Sequence, residues 1–324
     1  MRTVGLGLIG CGGMGRSLAE NANRLENAEV VACYDVQPDA SRAAASLLGS
    51  KTCQSLEELL GSPEIDGVIV ATPGYLHARQ VVQAAEAGKH VFCEKPMALT
   101  VHDCDEMISA CRRNDVKLMV GQVLRLLPVF KECARIVREE LGKPVAMRTT
   151  RIGGWGHSGW RNKLSLSGGM LLEVNVHELD YMRHLLGEAR EVAAYGRRYV
   201  QDVDFEDTVH ATFRFREGRV GTLEAAASST IGIYNGTVIC EDGSLAYDNG
   251  TGTIRYRLSG GEERVLNASQ SVKAPYGVQE ELADFVGSII EDRDPIITGL
   301  DGREAVRMAL AIRESIETGR VVRL

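Results

Sequence analysis

Residues 4–15 read VGLGLIGCGGMG, and this stretch decides the fold. An apolar run with the length of a buried strand ends in Gly10-Cys11-Gly12-Gly13-Met14-Gly15, and a helix-like segment follows at once. The spacing G-x-G-x-x-G has a steric reason. Gly10 permits a tight turn, Gly12 lets a pyrophosphate approach the backbone, and Gly15 lets the helix lie close to the strand. The helix's unpaired N–H groups and its positive dipole end then face the phosphates. A second apolar run, 29–34, ends in Asp35, twenty residues after Gly15. A carboxylate there accepts from both hydroxyls of an adenosine ribose and repels a 2′-phosphate. The expected cofactor is therefore NAD rather than NADP, with Arg16 and Arg42 the nearby cations that bear on the choice.

Outward from this motif, the first 122 residues alternate strand and helix signals. Strands are expected at 4–9, 30–34, 67–71, 90–93 and 117–121, with helices at 15–25, 39–48, 55–60, 75–87 and 101–113. Short, nearly all-apolar strands between amphipathic helices mean a parallel sheet covered on both faces, and right-handed crossovers make it doubly wound. After residue 122 the pattern changes. A helix at 128–140 and a strand at 145–152 lead through a Gly/Trp segment into one long apolar helix, 170–186. Runs of period-two alternation follow at 191–200, 208–216, 220–228, 237–241, 244–248, 253–258 and 263–267, separated by Gly-containing turns, as in an antiparallel meander. Helices at 277–291 and 302–318 close the chain. The expected architecture is α/β: a dinucleotide-binding domain over 1–122, then an α+β domain over 123–324 with helices on one face of a large, mainly antiparallel open sheet. The other face needs cover, which a homodimer or homotetramer would supply.

The length of 324 residues suits two domains. A net charge of −7 without a Lys/Arg-rich run argues against nucleic acid or an anionic membrane as partner. The eight cysteines are scattered without a C-x-x-C pair, which fits a reducing cytoplasm better than a disulfide framework. No stretch reaches the roughly 18 apolar residues of a membrane helix.

Two constellations carry chemistry. Cys93-Glu94-Lys95-Pro96 follows the fourth parallel strand, where residues face the cofactor crevice. Lys95 there can hydrogen-bond a substrate oxygen, and Pro96 suits a cis bond that aims it; the plain alternative is a turn. The second is Glu173-x-x-x-His177-x-x-Asp180 in the apolar segment after Ser167-Gly168-Gly169. On one continuous helix, offsets of four and three put these side chains on one face, with His184 a turn further. A histidine beside a carboxylate is a general base near neutral pH. The alternatives are a satisfied core histidine, or a zinc site from Glu173, His177 and His184, which lacks a recognised ligand motif. No metal is expected.

The chain resembles the glucose-fructose oxidoreductase / inositol dehydrogenase / rhizopine-catabolism (Gfo/Idh/MocA) family over nearly its whole length. The resemblance is carried by GLIGCGGMG, Ala71-Thr72-Pro73 with His77, AGKHVFCEKPMALT (87–100), Trp160-Arg161, SGGMLLEVNVHELD (167–180) and ESIETGRVVRL (314–324). It implies NAD-dependent hydride transfer at a secondary alcohol of a sugar, cyclitol or related polyol. By the same resemblance Lys95 binds the reacting hydroxyl, His177 is the acid/base, and Glu173 stands where inositol dehydrogenase-like members carry an aspartate. The expected cofactor contacts are Gly10, Gly12, Gly13, Met14, Gly15, Asp35, Ala71, Thr72, Pro73, His77, Glu94 and Lys95. The expected substrate contacts are Arg125, His157, Trp160, Arg161, Asn175, Asp180, Tyr234 and Tyr276. Glu173, Ser167 in place of a third glycine, and the apolar stretch 123–128 depart from the family pattern and bear on the substrate. The rival readings are an NADP-dependent aldose or ketose reductase, an NAD-using glycosidase of the same fold, and a non-catalytic dinucleotide sensor.

Overall fold

A computed structural model describes residues 2–271 and 276–324. The chain divides into two compact units. The first comprises the chain to Gln122 together with Val278–Arg303. Its elements run β1 (Val4–Ile9), α1 (Gly13–Ala22), β2 (Ala28–Tyr34), α2 (Pro38–Leu48), β3 (Lys51–Thr52), α3 (Leu56–Leu60), β4 (Gly67–Val70), α4 (Gly74–Glu86), β5 (His90–Cys93), α5 (Val101–Arg113) and β6 (Leu118–Val120). The six strands form one parallel sheet in the order β3-β2-β1-β4-β5-β6. Every residue of β1, β4 and β6 is buried, as expected of strands covered on both faces. The order reverses between β1 and β4, and ligands of open α/β sheets bind beyond the strand ends at such a switch point. Local chemistry starts the helices: Ser55 Oγ caps α3 by accepting from Glu58 N–H at 3.1 Å, and Thr100 Oγ1 caps α5 by accepting from Asp103 N–H at 3.0 Å.

The second unit comprises Val123–Gly277 and Glu304–Leu324. Its elements begin with α6 (Pro128–Ile136), continued by a π-helical turn at Val137–Leu141, then β7 (Pro144–Gly154), α7 (Leu164–Ser167), α8 (Gly169–Glu173) and α9 (Val176–Leu186). Strands β8 (Ala189–Arg197), β9 (Thr208–Phe215), β10 (Val220–Ala226), β11 (Ser228–Cys240), β12 (Gly243–Asp248), β13 (Thr253–Leu258) and β14 (Arg264–Asn267) follow, then the short α10 (Ala268–Ser271). The chain ends with α11 (Val278–Ile290), α12 (Gly299–Thr318) and β15 (Val322–Arg323). The nine-stranded sheet runs β14-β13-β12-β11-β7-β10-β9-β8-β15, antiparallel except where β7 meets β10. Alternation is clean in β9, where Val209, Ala211, Phe213 and Phe215 are buried and the residues between them face out. Helix α9 packs on β7 and β10. Tyr181 of α9 is fully buried and donates its hydroxyl to Phe130 O of α6 at 2.7 Å, so its polar end is satisfied.

Three expectations need correction. The segment 170–186 is not one helix. Gly168 and Gly169 both adopt left-handed backbone (φ 72° and 70°), and the helix that follows stops at Glu173. Val174 and Asn175 both donate to Met170 O, at 2.9 and 3.1 Å, which closes that helix before α9 begins at Val176. The alternating run read as 237–241 is part of one thirteen-residue strand, β11, and the two-residue edge strands β3 and β15 carry too little pattern to be seen in sequence. Helix α11, grouped above with the second domain, packs instead on α1, β1 and β5 of the first unit, where Phe285 meets Phe92 edge-on at 5.9 Å. Its apolar face matches the covered face of a parallel sheet, which sequence order alone does not reveal.

Candidate active site

In the first unit, the glycine turn divides into crowded and open positions. A Cβ at Gly15 would lie 2.0 Å from Gly10 O, and one at Gly10 (φ 94°) would lie 2.8–2.9 Å from Thr72 and Ala71. These two glycines hold β1, α1 and the turn after β4 together. A Cβ at Gly12 or Gly13 would meet nothing within 4 Å. The first turn of α1 has no side-chain cap and no acidic residue, so its N–H groups and positive end face open space. Asp35 stands beside this turn. One carboxylate oxygen accepts from Cys11 N–H at 2.7 Å and the other from Gln37 N–H at 2.8 Å, which fixes its orientation while each oxygen keeps a lone pair. An open, donor-lined cradle with an anchored carboxylate fits a dinucleotide: the backbone at Gly12, Gly13 and Met14 would hold the diphosphate, and Asp35 the ribose.

Lys95 follows β5 and is half-buried, and the Lys95–Pro96 bond is cis. Its backbone N–H donates to Glu94 Oε2 at 2.9 Å. His77 is fully buried, with Nδ1 2.9 Å from Pro96 O and Nε2 2.8 Å from Thr72 O. The ring thus joins the turn after β4 to the lysine turn. His77, expected to contact the cofactor, has both ring nitrogens against backbone carbonyls, so the ring braces the loops that carry Thr72 and Lys95.

In the second unit, the acidic residues of segment 173–180 each take an arginine. Glu173 accepts from Arg161 Nε at 3.1 Å, and the Arg161 guanidinium lies 4.5 Å over the Trp160 ring. Asp180, fully buried, is held by Arg125 in a two-bond pair of 2.7 and 2.6 Å. Arg125 and Asp180, both expected to contact substrate, are thus paired with each other under cover. Glu178, which sequence reasoning missed, accepts from Arg151 at 2.9 Å, Tyr234 Oη at 2.5 Å and Asn175 Nδ2 at 3.1 Å. Burial, with Glu178 adjacent, pushes the Tyr234 phenol well above its ordinary range. The signal for Glu178 was available: Asn175-x-x-Glu178 is the spacing of a helix start, here realised side chain to side chain.

His177 is half-buried in the first turn of α9, three residues before Asp180, while Glu173 lies beyond the helix break. Arg151, His157 and Asn175 line one cavity of the second unit together with Trp155. Trp155 donates to Asn162 at 2.8 Å and packs edge-on against His157 at 4.7 Å. Tyr276 is exposed. Among the described residues, no group of three or more His, Cys, Asp and Glu side chains is arranged to hold a metal ion. Among the same residues, no helix is long and apolar enough to cross a membrane.

A family model described as an oxidoreductase family with an NAD-binding Rossmann fold matches residues 4–122, and one described as the GFO/IDH/MocA C-terminal domain matches 130–246. The chain is 29% identical to myo-inositol 2-dehydrogenase of Thermotoga maritima over 98% of both chains. It is 34% identical to 2,7-anhydro-N-acetylneuraminate hydratase of Escherichia coli over 68% of this chain and 61% of that protein. The crystal structure of aldose-aldose oxidoreductase from Caulobacter crescentus, complexed with glycerol, superposes over 100% of both chains with a TM-score of 0.90 at 27% identity. The chain belongs to the GFO/IDH/MocA family of oxidoreductases.

Proposed function

We propose that this protein oxidises a secondary alcohol of a sugar, cyclitol or related polyol to the ketone, reversibly and with NAD in preference to NADP. The observation that carries the cofactor choice is the Asp35 carboxylate, anchored by two backbone N–H groups beside an open glycine turn. A 2′-phosphate there would meet a fixed negative charge. Bound NAD supplies the hydride acceptor, and the chain's own residues do the rest. Lys95 donates a hydrogen bond to the reacting oxygen and stabilises its developing negative charge. His177 takes the hydroxyl proton during oxidation and returns it during reduction. In this reading Glu173, held by Arg161, orients the His177 imidazole. The names of the relatives support neutral cyclitols and aldoses as the substrate class.

The test is absorbance at the NADH band with a panel of inositols and aldoses and both cofactors. NADH formed from at least one neutral polyol, with NADP poorer and improved by Asp35→Ala, is the expected result. The similarity to a hydratase favours a second reading, redox-neutral turnover that consumes NAD only transiently. Product formation without net NADH would select it. The outer face of the nine-stranded sheet, which exposes Tyr195 and Ile239, is proposed as the contact of a homodimer or homotetramer, to be read by light scattering.

A further inference from the structure

His77 of α4 has no exposed surface, and among the described residues it is the one fully buried histidine. Nδ1 lies 2.9 Å from Pro96 O, and Nε2 lies 2.8 Å from Thr72 O. A backbone carbonyl only accepts. A neutral imidazole carries one N–H and one bare lone pair, so either tautomer would set a lone pair against an oxygen at one of these contacts. Both contacts instead have the length of N–H···O bonds, about 2.7–3.2 Å. A ring that donates from both nitrogens is an imidazolium.

The two carbonyls belong to turns at the strand ends where open α/β sheets bind ligands. The turn after β4 stands against the glycine turn, since a Cβ at Gly10 would lie 2.8–2.9 Å from Thr72 and Ala71. The start of α4 stands against the lysine turn, since a Cβ at Gly74 would lie 3.1 Å from Pro96. His77 ties one turn to the other. Helix α4 packs on α5, β5 and β4. The buried ionisable groups there are the thiols of Cys93, Cys104 and Cys111, which burial keeps protonated, and Glu94 of the lysine turn. Lys95 and Asp103 are half-buried, His90 stands at the opposite end of β5, and the remaining charged side chains of α4 and α5 are exposed. Strand β4 and its turn bring none. Glu94 favours a cation at His77, while burial and Lys95 oppose it. The two carbonyls at bonding distance decide the balance.

We infer that His77 is an imidazolium at neutral pH and a positioning residue of the dinucleotide site: its two N–H groups hold the turn after β4 and the lysine turn in register, and NADH binding weakens when the ring loses its second hydrogen. A neutral ring must release one carbonyl, and the turn that carries it is then free to move. The sign follows from linkage. The proton is held above the ordinary histidine value of about 6.5, so the clamp is complete below that value and is lost as pH rises through the folded one. The clamp serves dinucleotide binding, whichever substrate the protein takes.

The experiment uses the full chain with nitrogen-15 in its histidine rings, as wild type and as His77→Gln, whose amide has a single nitrogen to donate. Nitrogen NMR at about pH 7.5 should show a histidine with hydrogen on both ring nitrogens, a signal absent from the variant. Where the variant fails to fold, slow exchange of both hydrogens with water identifies the fully buried ring. Titration of NADH fluorescence across the alkaline range then reads the clamp. The wild-type Kd should rise at least tenfold over the pH interval in which that signal passes from two hydrogens to one. His77→Gln should bind at least tenfold more weakly at about pH 7.5 and show no such step. A ring that keeps both hydrogens up to alkaline unfolding, with a flat wild-type Kd and a tenfold weaker variant, also supports the assignment. A single ring hydrogen on His77 at about pH 7.5 overturns the charge. A Kd that ignores the loss of the second hydrogen, or a variant that binds NADH as the wild type does, overturns the positioning role. Binding needs no turnover, so these results leave the choice of alcohol untouched, and absence of NADH formation from polyols leaves the clamp untouched.

Discussion

Gly12→Ala and Gly15→Ala make opposite demands on the same turn, and the structure says which protein should fold and which should bind. At Gly12 a Cβ meets nothing within 4 Å, and φ −68°, ψ −174° is open to any residue. Alanine there restricts the unfolded chain, worth about 0.4–1 kcal/mol. The weaker preference of alanine for a helix N-cap offsets part of that gain, so stability should change by no more than about 1 kcal/mol. Binding should suffer instead. A methyl group in the cradle pushes a diphosphate outward and breaks its hydrogen bonds to the first N–H groups of α1. Hydrogen bonds to charged groups contribute about 1.5–3 kcal/mol each. Losing two costs roughly 3–6 kcal/mol, two to four orders of magnitude in Kd. At Gly15 the Cβ would lie 2.0 Å from Gly10 O, so backbone must move by about an ångström, at the cost of overpacking, about 1–3 kcal/mol or more. Thermal unfolding and titration of NADH fluorescence read both quantities. Gly12→Ala should melt with the wild type and fail to bind, whereas Gly15→Ala should melt several degrees lower. A Gly12→Ala protein that binds NADH normally would refute the open-cradle reasoning, and so would one that melts as early as Gly15→Ala.

Lys95→Ala and His177→Ala should each lower kcat by about two orders of magnitude or more while the Kd for NADH stays within twofold; wild-type kcat in either removes that residue from the mechanism. Arg125→Ala leaves the Asp180 carboxylate buried without its counter-charge and should cost about 3–5 kcal/mol in urea unfolding. Arg125→Met combined with Asp180→Leu should cost far less, and equal losses would show that the pair itself stabilises the unit. Asp207 is fully buried; burial pushes its carboxyl up, but the N–H groups of Gln201, Val200 and Tyr199 and the Thr208 hydroxyl hold it below the usual carboxylate range. A pKa depressed on folding stabilises above the unfolded value of about 3.9 and is lost as pH falls through the folded one. The stability gap between wild type and Asp207→Asn should therefore narrow below about pH 4, and a gap constant from neutral pH to about pH 3 would contradict this.

What was legible in the sequence divides along a physical line. The glycine turn, the five longer parallel strands and the alternating strands of the second unit are local demands. A Cβ excluded at Gly15, or a buried face every second residue of β9, is written in single residues at fixed spacing. The carboxylate partners are not local. Glu173, Glu178 and Asp180 sit within eight residues, and periodicity read two of them as companions of His177. Each is bound to an arginine from elsewhere: Arg161, Arg151 and Arg125, which lie 12, 27 and 55 positions earlier. The helix break at Val174–Asn175 escaped the sequence because it contains no proline or glycine and interrupts an otherwise apolar run. These pairings also constrain the chemistry. In the proposed mechanism the three acidic groups nearest His177 in sequence are each paired with an arginine, so the imidazole takes its proton among matched charges.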